Sequence, residues 1–241
     1  MLHALVSDIH ANLEALDAVL ADIERRGADD IACLGDFVGY GASPNECMAR
    51  LRPHIELAVL GNHDQAAIDS TVLVDFNPDA AAAARWTGRQ LQPENAAWLA
   101  ALPYSVVWHG ARLVHAAPAD PEAWDYVLSP YAAETEMAHC AEPVCFVGHS
   151  HVPCTFELRG ERATVFRDPL VQGSRHRRYL IVVPSVGQPR DGDPRAGYLL
   201  WDDQAWTFEH VRLAYDLEGA QTRILGAGLP PSLANRLRWG E

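Results

Sequence analysis

The first part of the chain alternates short apolar runs with amphipathic segments. Apolar runs typical of buried β-strands occupy residues 2–7, 31–34 and 55–60. After the first run, apolar residues recur at helical spacing from Leu13 to Ile23, and Gly27 is typical of the position after a helix. A polar residue followed by proline predicts three further helix starts, at Ser43-Pro44, Asn77-Pro78 and Gln92-Pro93. Glu46 would complete a capping box with Ser43, and the repeated order of strand and helix predicts an α/β fold.

From residue 104 onward the pattern becomes rich in strands. Segments 104–108 and 112–114 flank the turn His109-Gly110 and predict a β-hairpin. Further strands are predicted at 144–147, 155–158, 163–166, 179–183, 198–201 and 206–211. Segment 120–142 lacks a strand pattern and carries aromatic residues among acids, so we expect a small helical insertion that overhangs the functional site. The tail after residue 215 is predicted to be helical.

Length and composition indicate one soluble globular unit. A chain of 241 residues suits a single domain, 1–241, with 120–142 as a small helical cap. No apolar run reaches the roughly 20 residues of a membrane span, and Met1 leads into a strand without an export signal. The five cysteines form no C-x-x-C pair, and Cys33 and Cys145 lie in apolar runs typical of reduced core thiols. We therefore expect a cytoplasmic protein that does not bind membranes.

The charged residues restrict both the partners and the chemistry. A formal net charge of -13 argues against binding extended nucleic acid, which requires a basic surface. The run Arg175-His176-Arg177-Arg178 is a local exception, either a solvated loop or a patch that steers an anionic substrate. All 19 basic residues are Arg, so mechanisms that need a phosphate-binding Lys, a Schiff-base Lys or a Ser-Lys pair are excluded. Any phosphate chemistry must therefore use Arg or metal ions.

Five apolar, strand-like runs end abruptly in polar residues. They are LVSDIH with Asp8 and His10, CLGD with Asp36, VLGNHD with Asn62 and His63, RLVH with His115, and FVGHSH with His149 and His151. Alone, each has an ordinary explanation, such as a helix cap, a turn or a single surface histidine. Together they place His, Asp and Asn where strand ends converge in α/β sheets, and such clusters mark metal or catalytic sites. Gly35, Gly61 and Gly148 would let the backbone bend tightly or approach an ion.

These motifs, in this order, resemble the signature of the calcineurin-like metallophosphoesterase superfamily: D-x-H, G-D, G-N-H-[DE], H and G-H-x-H. The segment from Pro184 to Arg190 resembles the superfamily's small bacterial, phosphodiesterase-like branch, so the resemblance covers most of the chain. It implies a four-layer αββα sandwich, in which two mainly mixed β-sheets are flanked by helices. It also implies two metal ions, one bound by Asp8, His10 and His151, the other by Asn62, His115 and His149, with Asp36 bridging them.

The implied ligands define the expected cofactors and mechanism. Imidazole and carboxylate ligands suit two divalent transition-metal ions, Mn first and Fe, Zn, Co or Ni as alternatives, whereas Mg prefers oxygen ligands. Two such ions about 3.5–4 Å apart can share a hydroxide that attacks phosphorus. By resemblance, His63 faces the substrate and protonates the leaving oxygen or stabilises charge on it. Asp64 would either orient the His63 imidazole or cap the helix that follows.

One departure from the superfamily narrows the expected substrate. Its protein serine/threonine phosphatases and symmetrical dinucleoside tetraphosphatases carry G-D-x-x-D-R-G, whereas this chain has Tyr40 where the phosphate-binding Arg would stand. That difference counts against both activities, because a phenol does not replace a planar guanidinium. Tyr40 would line the pocket or pack within its loop, and Arg190 is the candidate substitute for the phosphate contact.

These residues predict a hydrolase that cleaves a small or nucleotide-like phosphodiester. A phosphomonoesterase of the same fold is the nearest alternative. A non-catalytic scaffold, such as the retromer's metallophosphoesterase-like subunit, is a second, but a scaffold has no need to retain seven ligands together with His63. The sequence does not indicate an oligomeric state or a physiological substrate.

Overall fold

Two six-stranded β-sheets pack face to face and are flanked by helices. The computed structural model describes residues 1–241, apart from the side chain of residue 75. The first sheet contains, in spatial order, β3 (Leu57–Ala58), β2 (Asp30–Cys33), β1 (Leu2–Val6), β11 (Ala196–Asp202), β12 (Thr207–Leu213) and β9 (Leu170–Gln172). The second contains β4 (Ser105–Trp108), β5 (Ala111–Val114), β6 (Val144–Val147), β10 (Arg178–Val182), β7 (Cys154–Arg159) and β8 (Arg162–Phe166). The predicted αββα sandwich of mixed sheets is confirmed.

The helices cover the outer faces of the sandwich. They are α1 (Leu13–Arg26), α2 (Pro44–Leu51), α3 (Asn62–Ile68), α4 (Pro78–Gln90), α5 (Pro93–Ala100), α6 (Pro130–Met137), α7 (Leu217–Gly226) and α8 (Pro231–Leu237), with a 3-10 helix at Ser70–Asp75. Strand β1 shows how the layers form, because successive side chains point to opposite faces. Ala4 and Val6 pack in the core beneath α1, whereas Leu5 packs between the two sheets. The strand is therefore apolar on both faces.

Parallel strands bring their carboxyl ends to one edge of the sandwich. Strands β1, β2 and β3 are mutually parallel in the first sheet, and β5, β6 and β10 are parallel in the second. A parallel bridge between Ser7 and Ser185 joins the end of β1 to the segment after β10. The loops that follow these strands therefore meet at the seam between the sheets.

The turn after β1 is fixed by a helix-capping residue, Asn12, whose side chain has three hydrogen-bond partners, the third being the Tyr215 hydroxyl at 3.4 Å. The Asn12 side chain accepts a hydrogen bond from the Ala15 backbone N–H at 3.1 Å, as expected of an N-cap. Its amide Nδ2 donates to the Gly187 carbonyl at 2.9 Å. Asn12 therefore ties the start of α1 to the loop after β10, and Gly27 ends α1 in the left-handed conformation.

Two local predictions need correction, and one strand was missed. Ser43 precedes α2, but its hydroxyl makes no cap hydrogen bond to the described backbone, so the predicted capping box with Glu46 is wrong. Segment 120–142 is mostly irregular, and only α6 within it is helical. Strand β9 was not predicted, since three residues give too short a pattern.

Among the residues that the structure describes, no helix is both long and apolar enough to cross a lipid bilayer. All five cysteines are buried and unpaired within that same described part of the chain. The predicted core positions of Cys33 and Cys145 are therefore confirmed.

Candidate active site

The loops at the strand ends have an unusual backbone conformation. Seven residues other than glycine adopt positive φ there, between 48° and 63°: Asp8, His10, Ala11, Asp36, Tyr40, His149 and His151. Positive φ is uncommon for such residues and raises the backbone energy. Its concentration at one edge of the sandwich indicates that the surrounding fold holds these side chains in place for a function.

His10 and His151 form the first half of a buried cluster. His10 Nδ1 donates to the Val38 carbonyl at 3.1 Å, and His151 Nδ1 donates to the Gln188 carbonyl. Each bond leaves the Nε2 atom of that ring with its lone pair. The two Nε2 atoms face each other at 3.1 Å, and Asp8 Oδ1 lies 3.0 Å from His151 Nε2. Facing lone pairs beside a carboxylate are the arrangement that a bound cation stabilises.

His115, Asn62 and Asp36 form the second half of the cluster. His115 Nδ1 donates to the Leu34 carbonyl at 2.7 Å, and its Nε2 lies 3.2 Å from Asn62 Oδ1. Asp36 Oδ2 lies 3.4 Å from His115 Nε2 and 3.6 Å from His10 Nε2, so it reaches both halves. Asp8 Oδ1 likewise lies 3.8 Å from His10 Nε2 and 3.9 Å from His115 Nε2.

His149 joins the same cluster from the end of β6. Its ring lies 5.1 Å from that of His115, and its backbone N–H donates to Asp8 Oδ2 at 3.1 Å. The structure thus brings together all seven residues predicted as metal ligands: Asp8, His10, Asp36, Asn62, His115, His149 and His151.

The charges of this cluster are almost completely removed from water. Although burial opposes ionisation, neighbouring histidines lower the pKa of both Asp8 and Asp36 below the usual range. Burial opposes protonation of His115, but Asp36 and Asp8 raise the pKa of this histidine to about 9. Burial lowers the pKa of His149 to about 3. Two buried carboxylates therefore need positive charge, which a proton on His115 supplies in the metal-free protein and which a divalent ion can replace.

This donor set fits divalent metal ions. The groups that face one another are imidazole nitrogens, carboxylate oxygens and an amide oxygen, which suit Mn, Fe, Zn, Co or Ni. Backbone carbonyls orient three of the histidines from the opposite ring nitrogen, as is usual for metal-binding imidazoles. The geometry therefore supports metal binding by the residues already present.

Glycines provide the space that this cluster needs. A Cβ added to Gly61 would lie 2.1 Å from Asp36 Oδ1, and one added to Gly148 would lie 2.7 Å from Asp8 Oδ2. Gly35 has a φ of 90°, and a Cβ there would lie 2.6 Å from the Gly61 nitrogen. The predicted tight bend is confirmed at Gly35, and at all three glycines a side chain would collide with neighbouring residues of the cluster or its loops. Close approach to an ion stays a prediction.

His63 lies beside the cluster, and its ring packs against other rings, unlike the clustered histidines whose Nδ1 atoms donate to backbone carbonyls. Its ring contacts those of His10, Tyr40 and Phe76 at centroid distances of 5.0, 4.3 and 4.9 Å. Its backbone N–H donates to Asp36 Oδ1 at 2.8 Å, which fixes the residue relative to the proposed bridging carboxylate. Burial lowers the pKa of His63 to about 4.

Asp64 makes the contacts of a helix-capping residue. Its Oδ2 accepts from the Gly61 N–H at 3.2 Å, and its Oδ1 accepts from the Val38 N–H at 3.1 Å. These bonds close the start of α3 and anchor the loop that carries Gly39 and Tyr40. The geometry favours the capping role over an orienting hydrogen bond to the imidazole.

Tyr40 and Arg190 lie together at the edge of the cluster. Arg190 Nη2 donates to the Tyr40 hydroxyl at 3.2 Å, and the Arg190 backbone N–H donates to the His151 carbonyl at 3.3 Å. Tyr40 is only 5% exposed, packs against α7 and α8, and also lines the adjacent cavity. Tyr40 therefore both packs in the protein interior and lines the cavity, the two alternatives that the sequence left open. Arg236 of α8 brings a second guanidinium to within 5.8 Å of the Tyr40 ring centre.

The basic run Arg175–Arg178 lies away from this site. It precedes and begins β10, whose opposite end leads to the cluster. Arg177 pairs with Glu157 at 3.2 Å, and the Arg178 guanidinium donates to backbone carbonyls at Cys140 and Glu142. The distance of this run from the site and its contacts with protein groups argue against a patch that steers an anionic substrate.

A cavity of about 600 Å³ opens beside the cluster. His63, Asn62 and His149 form its inner wall, and its aromatic walls are Tyr40, Phe76, Trp124 and Tyr126. The predicted approach of segment 120–142 to the site is thus made by its irregular part. Phe76, Gln65 and Arg236 had no sequence signal, because they reach the site only through packing of the 3-10 helix, α3 and α8.

A two-sheet sandwich that carries this centre has the metallophosphoesterase fold. A family model for the calcineurin-like phosphoesterase superfamily domain matches residues 1–204, and the chain belongs to this superfamily of metal-using hydrolases. The resemblance predicted from the strand-end motifs is therefore confirmed.

Full-length relatives support the assignment. The chain is 39% identical to an uncharacterised protein of Methanocaldococcus jannaschii, over 99% of this chain and 98% of that protein. A metallophosphoesterase of Sphaerobacter thermophilus superposes with a TM-score of 0.88 at 38% identity, covering 100% of this chain and 99% of that one. A hypothetical protein of Pyrococcus horikoshii shares the fold at 19% identity, with a TM-score of 0.82 and coverage of 100% and 98%.

Proposed function

We propose that this protein is a dinuclear metal-dependent phosphodiesterase acting on small or nucleotide-like substrates. The observation that carries the proposal is the pair of buried His and carboxylate groupings, joined through Asp8 and Asp36, at the inner wall of a cavity. Asp8, His10 and His151 would hold one ion and Asn62, His115 and His149 the other, with Asp36 between them. When bound, two such ions lower the pKa of water and neutralise charge on phosphate oxygens.

His63 is the proposed general acid. It lines the cavity, and its backbone is fixed by Asp36 while its ring packs against His10, Tyr40 and Phe76. The ring therefore lies where its N–H can pass a proton to the oxygen that leaves phosphorus or donate a hydrogen bond that stabilises charge on it, and a neutral imidazole can do the second. Arg190, held by Tyr40 and near the His151 backbone, supplies positive charge for a phosphate oxygen.

The surroundings favour a diester over a monoester. A monoester carries one more negative charge, and the guanidinium clamp of the superfamily's phosphatases is replaced here by Tyr40. Glu122 adds a carboxylate to the cavity wall. The cavity is also large enough to receive a second ester arm.

The decisive comparison uses protein loaded with Mn and the substrates bis(p-nitrophenyl) phosphate and p-nitrophenyl phosphate. We expect the larger kcat/KM for the diester. A clear preference for the monoester would make the protein a phosphomonoesterase, and a failure to hydrolyse either would contradict the enzymatic proposal.

The remaining expectations concern the environment of the protein. We infer a small phosphoester as its partner, no binding to extended nucleic acid or membranes, and a cytoplasmic location. The net charge of -13 supports the absence of binding to nucleic acid and membranes, because an acidic surface repels polyanions and anionic lipid. Metals are proposed to be Mn first, with Fe, Zn, Co or Ni as alternatives.

A further inference from the structure

The cavity beside the cluster is much larger than the hydrolysis of a phosphate ester requires. Its volume of about 600 Å³ lies in the range of pockets that enclose drug-sized ligands. Aromatic rings surround it, and Gln65, Asn77 and Glu122 provide a few polar groups. This combination of apolar walls and separated polar groups is typical of a site that recognises an organic ring.

We propose that the cavity binds a nucleobase carried by the leaving arm of the phosphodiester, that is, by the ester group that is released as an alcohol on hydrolysis. The inference rests on the proposed function and adds the identity of the arm and the residues that select it. The leaving arm is assigned because His63, the proposed acid, lines the same cavity. The oxygen of water would bond to phosphorus and the bond from phosphorus to the nucleoside oxygen would break. That oxygen would leave with one proton of the water, which His63, at the wall of the same cavity, is placed to relay. The products are a nucleoside and a phosphomonoester.

Trp124 is held in place by a chain of hydrogen bonds. Its indole Nε1 donates to Gln65 Oε1 at 3.2 Å, and Gln65 Nε2 donates to the Tyr104 hydroxyl at 3.3 Å. Its backbone has a φ of 57°, which is uncommon for a bulky residue. A strained backbone and a satisfied indole together fix the ring before any ligand binds, which reduces the entropy lost on binding.

Phe76 and Tyr126 provide two further aromatic surfaces. Phe76 packs edge-on against His63 at 4.9 Å, next to the proposed acid. Tyr126 stacks on His149 at 4.2 Å and 14°, and it is 51% exposed, so its ring reaches the cavity mouth. Stacking of this kind accepts any base, because every base presents a π-face.

Polar groups at the wall can recognise the edge of the base. Asn77 Oδ1 accepts from the Ala80 N–H at 2.9 Å as a helix cap, which leaves its amide Nδ2 to donate. Glu122 presents a carboxylate that can accept from an exocyclic amino group. A purine with an amino group and a ring nitrogen matches this pair of donor and acceptor.

The first experiment compares substrates that differ only in the base. The methyl esters of adenosine 5′-phosphate and ribose 5-phosphate contain the same reacting atoms. We expect kcat/KM to be about tenfold to hundredfold higher for the adenosine ester, as the loss of one stacked base implies. The expected products are adenosine and methyl phosphate. Equal rates, or release of methanol and adenosine 5′-phosphate, would overturn the proposal.

A third substrate separates a nucleobase from any other aromatic group. Methyl 2-phenylethyl phosphate carries a ring without hydrogen-bonding edges. If it is hydrolysed as efficiently as the adenosine ester, the assignment to a nucleobase is wrong. Hydrolysis of bis(p-nitrophenyl) phosphate is measured in the same preparation, so a failure of the base-binding site is distinguished from a failure of the phosphodiesterase proposal.

The second experiment tests Trp124 without relying on turnover. Saturation-transfer NMR on metal-free protein should show transfer to the base protons of adenosine, and Trp124→Leu should abolish it. Trp239→Leu is the matched control, because Trp239 is 63% exposed and lies outside the cavity. Gln65→Leu should weaken the signal while leaving the ring present. Equal transfer in the parent and the Trp124→Leu protein, with melting temperature unchanged, would contradict the assignment.

Discussion

At the scale of single residues, His63 is the side chain whose proposed role can be separated most cleanly from metal binding. His63 contacts two proposed ligands, His10 through its ring and Asp36 through its backbone N–H, but it is not itself a proposed ligand. His63→Ala should therefore retain the metal content of the parent protein and lower kcat on a diester with an alkyl leaving group by about 100-fold or more. Metal analysis and steady-state kinetics provide the measurement, with the exposed His176→Ala as control. Turnover within a few-fold of the parent would exclude His63 as the acid.

Gly39 offers a second test at this scale. A Cβ at Gly39 would lie 2.6 Å from His63 Nδ1, and its φ is 91°. Gly39→Ala should displace the His63 ring and lower kcat, in addition to a destabilisation of about 1–2 kcal/mol from the left-handed backbone.

Gly110 is the matched control for Gly39. Its φ is 77°, and within the described part of the chain an added Cβ would meet no atom within 4 Å. Gly110→Ala should show a similar loss of unfolding free energy in urea with unchanged kcat. A parallel loss of kcat in both variants would mean that strain, and not the contact with His63, limits turnover.

Single residues were predictable when the neighbouring sequence indicated their position, and not when distant segments determined it. The strand-end positions of the proposed ligands Asp8, Asp36 and His115 were predictable, because each directly follows an apolar run. The capping geometry of Asp64 was one of two open interpretations, since the same position can bond to backbone or to an imidazole. Phe76 and Arg236 gave no signal, because their positions depend on how whole helices pack.

At the scale of elements, the residue that caps α1, Asn12, also holds the loop after β10 that borders the proposed metal site. Asn12→Ala would remove the cap of α1 and leave the buried Gly187 carbonyl without its 2.9 Å donor. We expect a loss of about 2–3 kcal/mol in unfolding free energy, from both the lost cap and the unsatisfied carbonyl. Asn77→Ala, which removes a cap with a single partner at Ala80, should lose about 1 kcal/mol.

Urea denaturation of both Asn variants measures this difference. Asn12→Ala should also weaken metal binding, since the loop that it holds includes Gln188, whose carbonyl orients His151. Identical stability losses in the two variants would show that the bond to Gly187 contributes nothing.

Element predictions succeeded where the pattern was long and failed where it was short. The caps and apolar period of α1 and the hairpin of β4 and β5 were predicted, since their signals are contained in the element itself. Strand β9 exists because β12 offers an edge to pair with, and the sequence pattern does not show that edge. Segment 120–142 was expected to be helical, but Trp124 and Tyr126 are placed by contacts with α3 and the cluster.

At the scale of the whole molecule, His210 links the two sheets, and we expect it to make the stability of the fold depend on pH. His210 lies on β12 of the first sheet, and its Nε2 is 3.1 Å from Thr155 Oγ1 on β7 of the second. Its Nδ1 is shielded from solvent. Burial, together with the nearby Arg212, lowers the pKa of His210 to about 4.

Because folding lowers the pKa of His210, this histidine makes the unfolding free energy fall as pH falls. The unfolded chain binds a proton at His210 near pH 6.5, whereas the folded protein resists it down to about pH 4. This stabilisation is therefore present at neutral pH and declines as pH falls from 6.5 towards 4. His210→Gln should reduce the fall in unfolding free energy between pH 7.5 and pH 5 by about 1–2 kcal/mol.

The comparison is made by urea denaturation of chelator-treated protein, so that the other buried histidines contribute equally to parent and variant. His54→Gln, at an exposed position, is the control. A variant whose pH dependence equals that of the parent would show that His210 does not contribute.

The seam between the sheets also sets the order in which a newly made chain can become a metalloprotein. All seven proposed ligands have been synthesised once residue 151 is made, yet the segments that support them are synthesised later. The Gln188 carbonyl orients His151, Ser185 bridges to Ser7, and β11 pairs with β1. We therefore expect metal capture to follow completion of the second half of the chain, so that a nascent protein exposes its imidazoles to the cell before it can hold an ion.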